Sequence, residues 1–134
     1  MYRPCRPTED TKRKITPMDC VFCNLDSRLF IAENELFCAI WDIHPVSKGH
    51  ALIISKRHCQ DFFSLSQAET CALQELSVTV QHLLKEKYQA EGYNLAMNCG
   101  KIAGQSIPHF HLHIIPRYKR DKVHPFKHLR ESLC

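Results

Sequence analysis

Alternating and continuous runs of hydrophobic positions predict five β-strands along the chain. Each run is short and is bounded by residues that favour turns. The predicted strands cover residues 29–32, 36–41, 50–55, 93–97 and 109–115. The first two are expected to form a hairpin with a turn at 33–35, and the strongly apolar third run is typical of a central strand. The loops at 42–49 and 98–108 contain the proline and glycine residues expected of irregular segments.

Between the third and fourth predicted strands, the apolar positions take the period of a helix. Ser66, followed three residues later by Glu69, matches a capping box that starts a helix. The apolar residues that follow share one stripe: Leu73, Leu76, Val80, Leu83 and Leu84. Gly92 is the predicted terminator. The expected fold class is α+β, with a five-stranded antiparallel sheet and one long helix against it.

Length and composition indicate one small domain. The chain has 134 residues, 44% of them hydrophobic, which is enough to bury a core without disulfides. No apolar run reaches the roughly 18 residues of a membrane helix, and the first ten residues are too polar for a secretory signal. We therefore expect a cytoplasmic protein without a membrane partner, in which most of the eight cysteines are free thiols.

Charge and local composition divide the chain into three parts. The net charge of +4 suits anionic small molecules and is too weak to indicate a nucleic-acid partner. The first segment is polar, contains prolines and lacks apolar periodicity. The predicted organisation is a flexible N-terminal arm at 1–19, a folded domain at 20–118 and a basic C-terminal tail at 119–134.

Three histidines occupy every second position of the last predicted strand: His109, His111 and His113. Side chains alternate faces along a strand, so all three are expected on one face and the apolar residues between them on the other. One histidine on such a strand is commonly a hydrogen-bonded core residue, but three together would need partners for six ring nitrogens. A functional surface is therefore favoured. One metal ion held by all three is geometrically awkward, because His109 and His113 would lie about 13 Å apart along an extended strand.

The second chemical signal is the Cys-x-x-Cys pair formed by Cys20 and Cys23. Alone, this spacing is compatible with a redox motif, half of a zinc site or coincidence. A redox role is disfavoured because no βαβ pattern surrounds the pair. A structural zinc site would need two more ligands from elsewhere in the fold.

Together these features resemble the histidine triad (HIT) family. Its signature, His-φ-His-φ-His-φ-φ with φ an apolar residue, is met at all seven positions of 109–115. The similarity includes several shorter matches: Asp42-Ile43, Lys48-Gly49-His50, Lys56-Arg57-His58, Asn98 and Gly104-Gln105-Ser106. It covers about residues 20–118. One departure is Pro108, which removes a hydrogen-bond donor at the strand entrance, so the last strand is expected to start late.

The resemblance implies chemistry at the α-phosphorus of a nucleotide. A neutral imidazole attacks phosphorus readily and leaves again from a P–N bond. By position in the motif, His111 is the implied nucleophile that forms a nucleotidyl-histidine intermediate, and His113 is an implied donor to the phosphate oxygens. Gln105 and Ser106 are implied contacts of the phosphates and the leaving group, with Ser106 as a candidate proton donor. Asn98 is implied to hold a phosphate oxygen.

The resemblance also implies a nucleotide pocket and a zinc site. The pocket positions are Asp42, Ile43, His50 and Phe22, with the Asp42 carboxylate as acceptor for the ribose hydroxyls. A loop-capping role for Asp42 stays open. The chain is most similar to the zinc-bearing, bacterial-type subgroup, in which the implied ligands of a structural zinc are Cys20, Cys23, His58 and His109. In that arrangement His109 is not the nucleophile, and the metal instead fixes the strand that carries His111.

The implied function is that of an enzyme. It would be a nucleotidyl hydrolase or transferase that cleaves dinucleoside polyphosphates, nucleoside phosphoramidates or related adenylated compounds at the α-phosphate, with a purine nucleotide as ligand. The alternative is a non-catalytic nucleotide-binding regulatory protein. His111 favours the enzyme, because a pure binder needs no nucleophile beside the phosphate. The resemblance also implies a homodimer, formed by the helix and a sheet edge.

Overall fold

The computed structural model describes residues 18–121, which form six main elements. In chain order these are β1 (Ala32–Glu33), β2 (Phe37–Trp41), β3 (Ala51–Ser55), α1 (Gln67–Tyr88), β4 (Gly92–Ala96) and β5 (His111–Arg117). The strands make one antiparallel sheet in the order β1-β2-β3-β5-β4. The predicted α+β fold with a five-stranded antiparallel sheet and one long helix is confirmed. The predicted arm and tail lie almost entirely outside the described residues.

The first strand is shorter than the sequence pattern predicts. Residues 27–29 form a 3-10 turn instead, because the Asp26 side chain caps it by accepting from the Arg28 backbone N–H at 2.9 Å. The register with β2 covers only Ala32 and Glu33, and before it the Ile31 N–H donates to the Ala39 carbonyl at 2.8 Å. The predicted hairpin turn is present, and the Asn34 side-chain oxygen holds it by accepting from two backbone N–H groups that follow. The prediction of a strand at 29–32 was therefore wrong over most of its length.

The capping box at the start of α1 is confirmed. The Ser66 hydroxyl accepts from the Glu69 N–H at 3.1 Å, and the Glu69 carboxylate accepts from the Ser66 N–H at 2.9 Å. The end of the helix differs from the prediction. Gln89 ends it by adopting the left-handed conformation (φ 57°, ψ 41°), with its N–H on the Lys85 carbonyl. Gly92 is not the terminator, because it already opens β4.

The main core lies between α1 and one face of the sheet. Apolar residues of the helix stripe meet the residues that alternate with the histidines of β5 and its entrance: Leu73, Leu76, Val80, Leu84, Phe110, Leu112 and Ile114. Each such buried side chain stabilises the fold by about 2 kcal/mol. A smaller cluster on the opposite face joins β2 and β3 to the segment before β1: Cys38, Ile40, Leu52 and Ile54, with Phe22, Leu25 and Phe30 packed on them.

The strand β5 starts two residues later than its apolar pattern, as Pro108 led us to expect. The Phe110 N–H donates to the Cys59 carbonyl at 2.6 Å rather than to a sheet neighbour, and regular pairing starts at His111, opposite Ile54 of β3. Because β5 lies between β3 and β4, the histidine segment belongs to an interior strand of the sheet. Within residues 18–121, no helix has the length and apolar character needed to cross a membrane.

Candidate active site and metal centre

Four side chains from three separate segments of the chain meet beside the entrance to β5: Cys20, Cys23, His58 and His109. The His109 Nδ1 lies 3.3 Å from the Cys20 Sγ, 3.5 Å from the Cys23 Sγ and 3.2 Å from the His58 Nδ1. The Cys23 Sγ is 3.0 Å from the His58 Nδ1. A tetrahedral zinc with ordinary Zn–S and Zn–N bonds places its ligand atoms about 3.3–3.8 Å apart. The cluster therefore has nearly the spacing of a Cys₂His₂ zinc site.

Hydrogen bonding prepares His109 for a metal. Its Nε2–H donates to the Ser55 carbonyl at 2.6 Å, which leaves the lone pair on the Nδ1 that faces the cluster. Burial lowers the pKa of His109 to about 4, so the ring is neutral, as a ligand must be. Sequence reasoning missed Ser55, since its contribution is a backbone carbonyl that any residue type would supply.

The two thiols also fit a bound cation. Burial, together with the neighbouring Cys20 thiol, raises the pKa of Cys23 to about 12. Two adjacent thiolates in a buried position need a positive charge between them, and zinc supplies it. The donor set, the spacing and the histidine tautomer therefore all fit a structural zinc ion.

Phe22 lies between this cluster and the first histidine of β5, His111. It lies between the two cysteines in the sequence, and its ring centroid is 5.8 Å from that of His109 and 5.1 Å from that of His111. The predicted pocket residue thus packs edge-on against both histidines. The segment from Cys20 to Cys23 consequently forms one wall of the site around His111.

His111 is held in one orientation and one tautomer. Its Nδ1 lies 2.9 Å from the His109 backbone carbonyl, which can only accept, so Nδ1 carries the proton and Nε2 carries the lone pair. Burial lowers the pKa of His111. The imidazole is therefore neutral near pH 7 and presents a nucleophilic nitrogen.

His113, His50 and Asp42 form a second group next to His111. The His50 Nε2 lies 2.9 Å from the His113 Nδ1 and 3.4 Å from the Asp42 Oδ2. The ring centroids of His111 and His113 are 5.2 Å apart. The other Asp42 oxygen accepts from the His44 N–H at 2.8 Å, so this carboxylate does cap its loop while one oxygen faces the histidines. The neighbouring Ile43 side chain is 86% exposed.

The loop before β5 is organised by Gln105. Its buried side chain accepts from the Gly100 N–H at 2.8 Å and donates to the carbonyls of Gln60 at 2.6 Å and Ile107 at 3.1 Å. Both amide hydrogens are therefore used within the protein, a holding role that the motif did not reveal. Ser106 follows directly and is exposed, and the Asn98 side chain donates to the Gly104 carbonyl at 3.3 Å.

The family model described as the HIT domain matches residues 25–120. The chain belongs to the HIT domain family. The match includes His58, the loop with Gln105 and the whole of β5, whereas Cys20 and Cys23 precede it. The family model therefore covers the whole sheet and helix but only half of the metal cluster.

Relatives of known name and structure agree with this membership. An adenosine 5′-monophosphoramidase of Schizosaccharomyces pombe is 39% identical over 107 residues, covering 75% of each chain. An adenylylsulfatase of Arabidopsis thaliana is 33% identical over 116 residues, which are 84% of this chain and 59% of that protein. The structure is similar to that of a zinc-bound histidine triad family protein of Mycobacterium smegmatis, with a TM-score of 0.73, 32% identity and coverage of 88% of this chain and 95% of the other. The Cys/His cluster fits the zinc-bearing subgroup.

Proposed function

We propose that the protein is a nucleotidyl hydrolase or transferase that cleaves dinucleoside polyphosphates or nucleoside phosphoramidates at the α-phosphate. The observation that carries this proposal is the tautomer of His111, whose Nδ1–H is held by the His109 carbonyl so that Nε2 is free to attack. The names of the two relatives, a phosphoramidase and an adenylylsulfatase, support cleavage next to an adenylyl group.

The reaction has two balanced steps. In the first, the His111 Nε2 attacks the α-phosphorus, a P–N bond forms, and the bond from phosphorus to the leaving group breaks with its electron pair. Ser106, exposed in the loop before β5, supplies a proton to the leaving group. In the second step, water or another acceptor hydroxyl attacks the same phosphorus, the P–N bond breaks, and the acceptor proton passes to Ser106, which regains the proton that it gave to the leaving group. A nucleoside monophosphate or its ester is released and His111 returns to the neutral form.

Four further predicted residues orient the nucleotide. The Asp42 carboxylate accepts the ribose hydroxyls, Ile43 and Phe22 contact the base side of the ligand, and Asn98 donates to a phosphate oxygen. His113 donates to the oxygens on which negative charge develops. A zinc ion held by Cys20, Cys23, His58 and His109 would be structural and would fix the entrance of β5.

The test compares wild-type protein with His111→Ala and His111→Asn. We expect turnover of a nucleoside phosphoramidate to fall by at least about 10³-fold in both variants, because the nucleophile is absent. Binding of nucleoside monophosphate should change little, since the pocket residues are untouched. Acid-quenched wild-type reactions with radiolabelled substrate should lose their protein label, whereas alkaline quenching should preserve it on His111, as expected of a P–N bond.

Label on Ser106, or full turnover by His111→Ala, would contradict the covalent mechanism. If wild-type protein binds nucleotide and shows no turnover with either substrate class, the alternative of a regulatory nucleotide-binding protein replaces the proposal. In both cases we expect the ligand to be a purine nucleotide and the protein to meet it in the cytoplasm.

We further propose that residues 20–118 act as a homodimer. The edge strand β4 supports this, because its outer backbone groups are unpaired in the described chain and Leu95 is 55% exposed there. The buried Asn94 Oδ1 also lacks a hydrogen-bond partner within residues 18–121. Sedimentation analysis should give twice the chain mass of 15.6 kDa, and Leu95→Asp should give the monomer mass. A monomeric wild-type protein would refute the dimer and leave the catalytic proposal unaffected.

A further inference from the structure

We propose that His50 does not contact the nucleotide but positions the reaction by setting the tautomer of His113. The activity part of this inference rests on the function proposed above, whereas its tautomer part does not. His50 is poorly placed to touch a ligand, because its side chain is only 1% exposed. His113 is the more accessible of the two rings, at 13%.

The first step is the tautomer of His50. The Val46 backbone N–H points at the His50 Nδ1, with the two nitrogens 3.1 Å apart. A backbone N–H only donates, so the Nδ1 must carry a lone pair. A neutral imidazole has one ring proton, which then belongs to Nε2. Burial lowers the pKa of His50, which keeps the ring in this neutral form.

The second step transfers this constraint to His113. The His50 Nε2 and the His113 Nδ1 are 2.9 Å apart, and one proton lies between them. Because that proton belongs to His50, the His113 Nδ1 accepts and its own proton resides on Nε2. Burial, with help from His111 and His50, lowers the pKa of His113 to about 4, so the ring is neutral as well.

The third step is the anchoring of Val46. Its loop is tied to the end of β5 by the Ser47 hydroxyl, which donates to the Pro116 carbonyl at 2.7 Å, and by the Tyr118 hydroxyl, which donates to the Lys48 carbonyl at 2.6 Å. Pro116 lies beyond Ile114, the last residue of β5 that is in register with β3. Gly49 allows the close return of this loop, since it has φ of 88° and a Cβ there would lie 2.7 Å from Tyr88.

The result is a pair of complementary imidazoles. His111 has its lone pair on Nε2 and His113 has its proton on Nε2, so one ring attacks phosphorus while the other donates to a phosphoryl oxygen. The same tautomer argues against a second metal site. Asp42, His50 and His113 are close enough to share an ion, but the His50 Nε2 that faces the group carries a proton and has no free lone pair.

The direct test is the tautomeric state of each ring in the full-length, zinc-loaded protein at pH 7. Long-range ¹H–¹⁵N spectra distinguish protonated from unprotonated ring nitrogens, and His50→Gln and His113→Asn provide the assignments. We expect both His50 and His113 to carry the proton on Nε2. A proton on the Nδ1 of either ring would overturn the proposal, whatever the activity of the protein. Addition of Mg²⁺ or Mn²⁺ should leave the His50 signals unshifted, and a shift would equally overturn it.

The activity test uses two variants of His50. In His50→Gln the side-chain amide can still donate to the His113 Nδ1, whereas in His50→Leu no donor remains. Loss of one buried hydrogen bond should lower kcat about 10- to 100-fold in His50→Leu while the dissociation constant for nucleoside monophosphate changes less than about threefold. His50→Gln should recover most of the loss. Equal defects in both variants, or a defect confined to nucleotide binding, would contradict the positioning role.

Discussion

Titration of His113 should make the stability of the protein depend on pH in a way that one substitution removes. The ring is only 13% exposed, and burial lowers its pKa in the folded state to about 4. In the unfolded chain the pKa of a histidine is about 6.5. A ring that resists protonation in the folded state stabilises that state at pH above 6.5, and this stabilisation is lost as the pH falls towards 4, because the unfolded chain then binds a proton that the folded chain does not.

The magnitude follows from the two pKa values. Each unit of difference in pKa corresponds to about 1.4 kcal/mol, so the complete loss is about 3.4 kcal/mol. Between pH 7 and pH 4.5 the expected loss is about 2.4 kcal/mol. His113→Asn removes the titrating group, and its side-chain oxygen can still accept from His50. The free energy of unfolding of wild-type protein should therefore fall by about 2.4 kcal/mol more than that of His113→Asn over this interval.

Urea unfolding of both proteins at pH 7, 6, 5.5, 5 and 4.5 measures this difference. Acid also protonates Cys20, Cys23, His58 and His109, but the resulting loss of stability is common to both proteins and cancels in the comparison. Parallel curves of stability against pH for the two proteins would refute the reasoning, because they would show that His113 is as easily protonated in the folded as in the unfolded chain. A steeper curve for the variant would refute it as well.

Two further predictions concern the metal cluster and the loop before β5. Purified protein should contain about one zinc per chain by metal analysis, and Cys23→Ser should lose the metal and several kcal/mol of stability. The control is Cys71→Ser, at an exposed position of α1, which should lose neither. Metal-free wild-type protein of unchanged thermal stability would contradict a structural zinc. Gln105→Glu should lower the free energy of unfolding by about 2–4 kcal/mol, because a buried carboxylate cannot donate to the two carbonyls that Gln105 satisfies. The exposed Gln74→Glu is its control, and equal melting temperatures for the two variants would show that the Gln105 hydrogen bonds contribute little.

Much of the fold follows from local patterns. Strand periodicity assigned the histidines and their apolar neighbours to opposite faces, and both faces have the expected neighbours because the alternation of β side chains is independent of context. The capping box at Ser66 was equally predictable, since both of its hydrogen bonds form within four residues. Prediction of the cluster of Cys20, Cys23, His58 and His109 needed the family resemblance, because these four residues are spread over 90 positions of the sequence.

Other features depend on contacts that leave no pattern in the sequence. The 3-10 turn capped by Asp26 competes with strand formation at 29–32, and the apolar residues of this segment are compatible with either structure. The helix ends at Gln89 rather than Gly92 because a non-glycine residue accepts the left-handed conformation there. The tautomer of His50 depends on the Val46 N–H, and that of His109 depends on the Ser55 carbonyl. Both are backbone groups: every residue type has the carbonyl, and every type except proline has the N–H.

The exposure of Ile43 has a consequence for how this protein can change over evolutionary time. His50, His109 and His111 lie inside the fold, so most replacements there would cost stability. Ile43 follows Asp42 directly yet buries little of its own surface, so replacing it should hardly affect folding. Mutations at this position can therefore accumulate without loss of the fold, and under the function proposed above they would give selection for a different nucleobase a site on which to act.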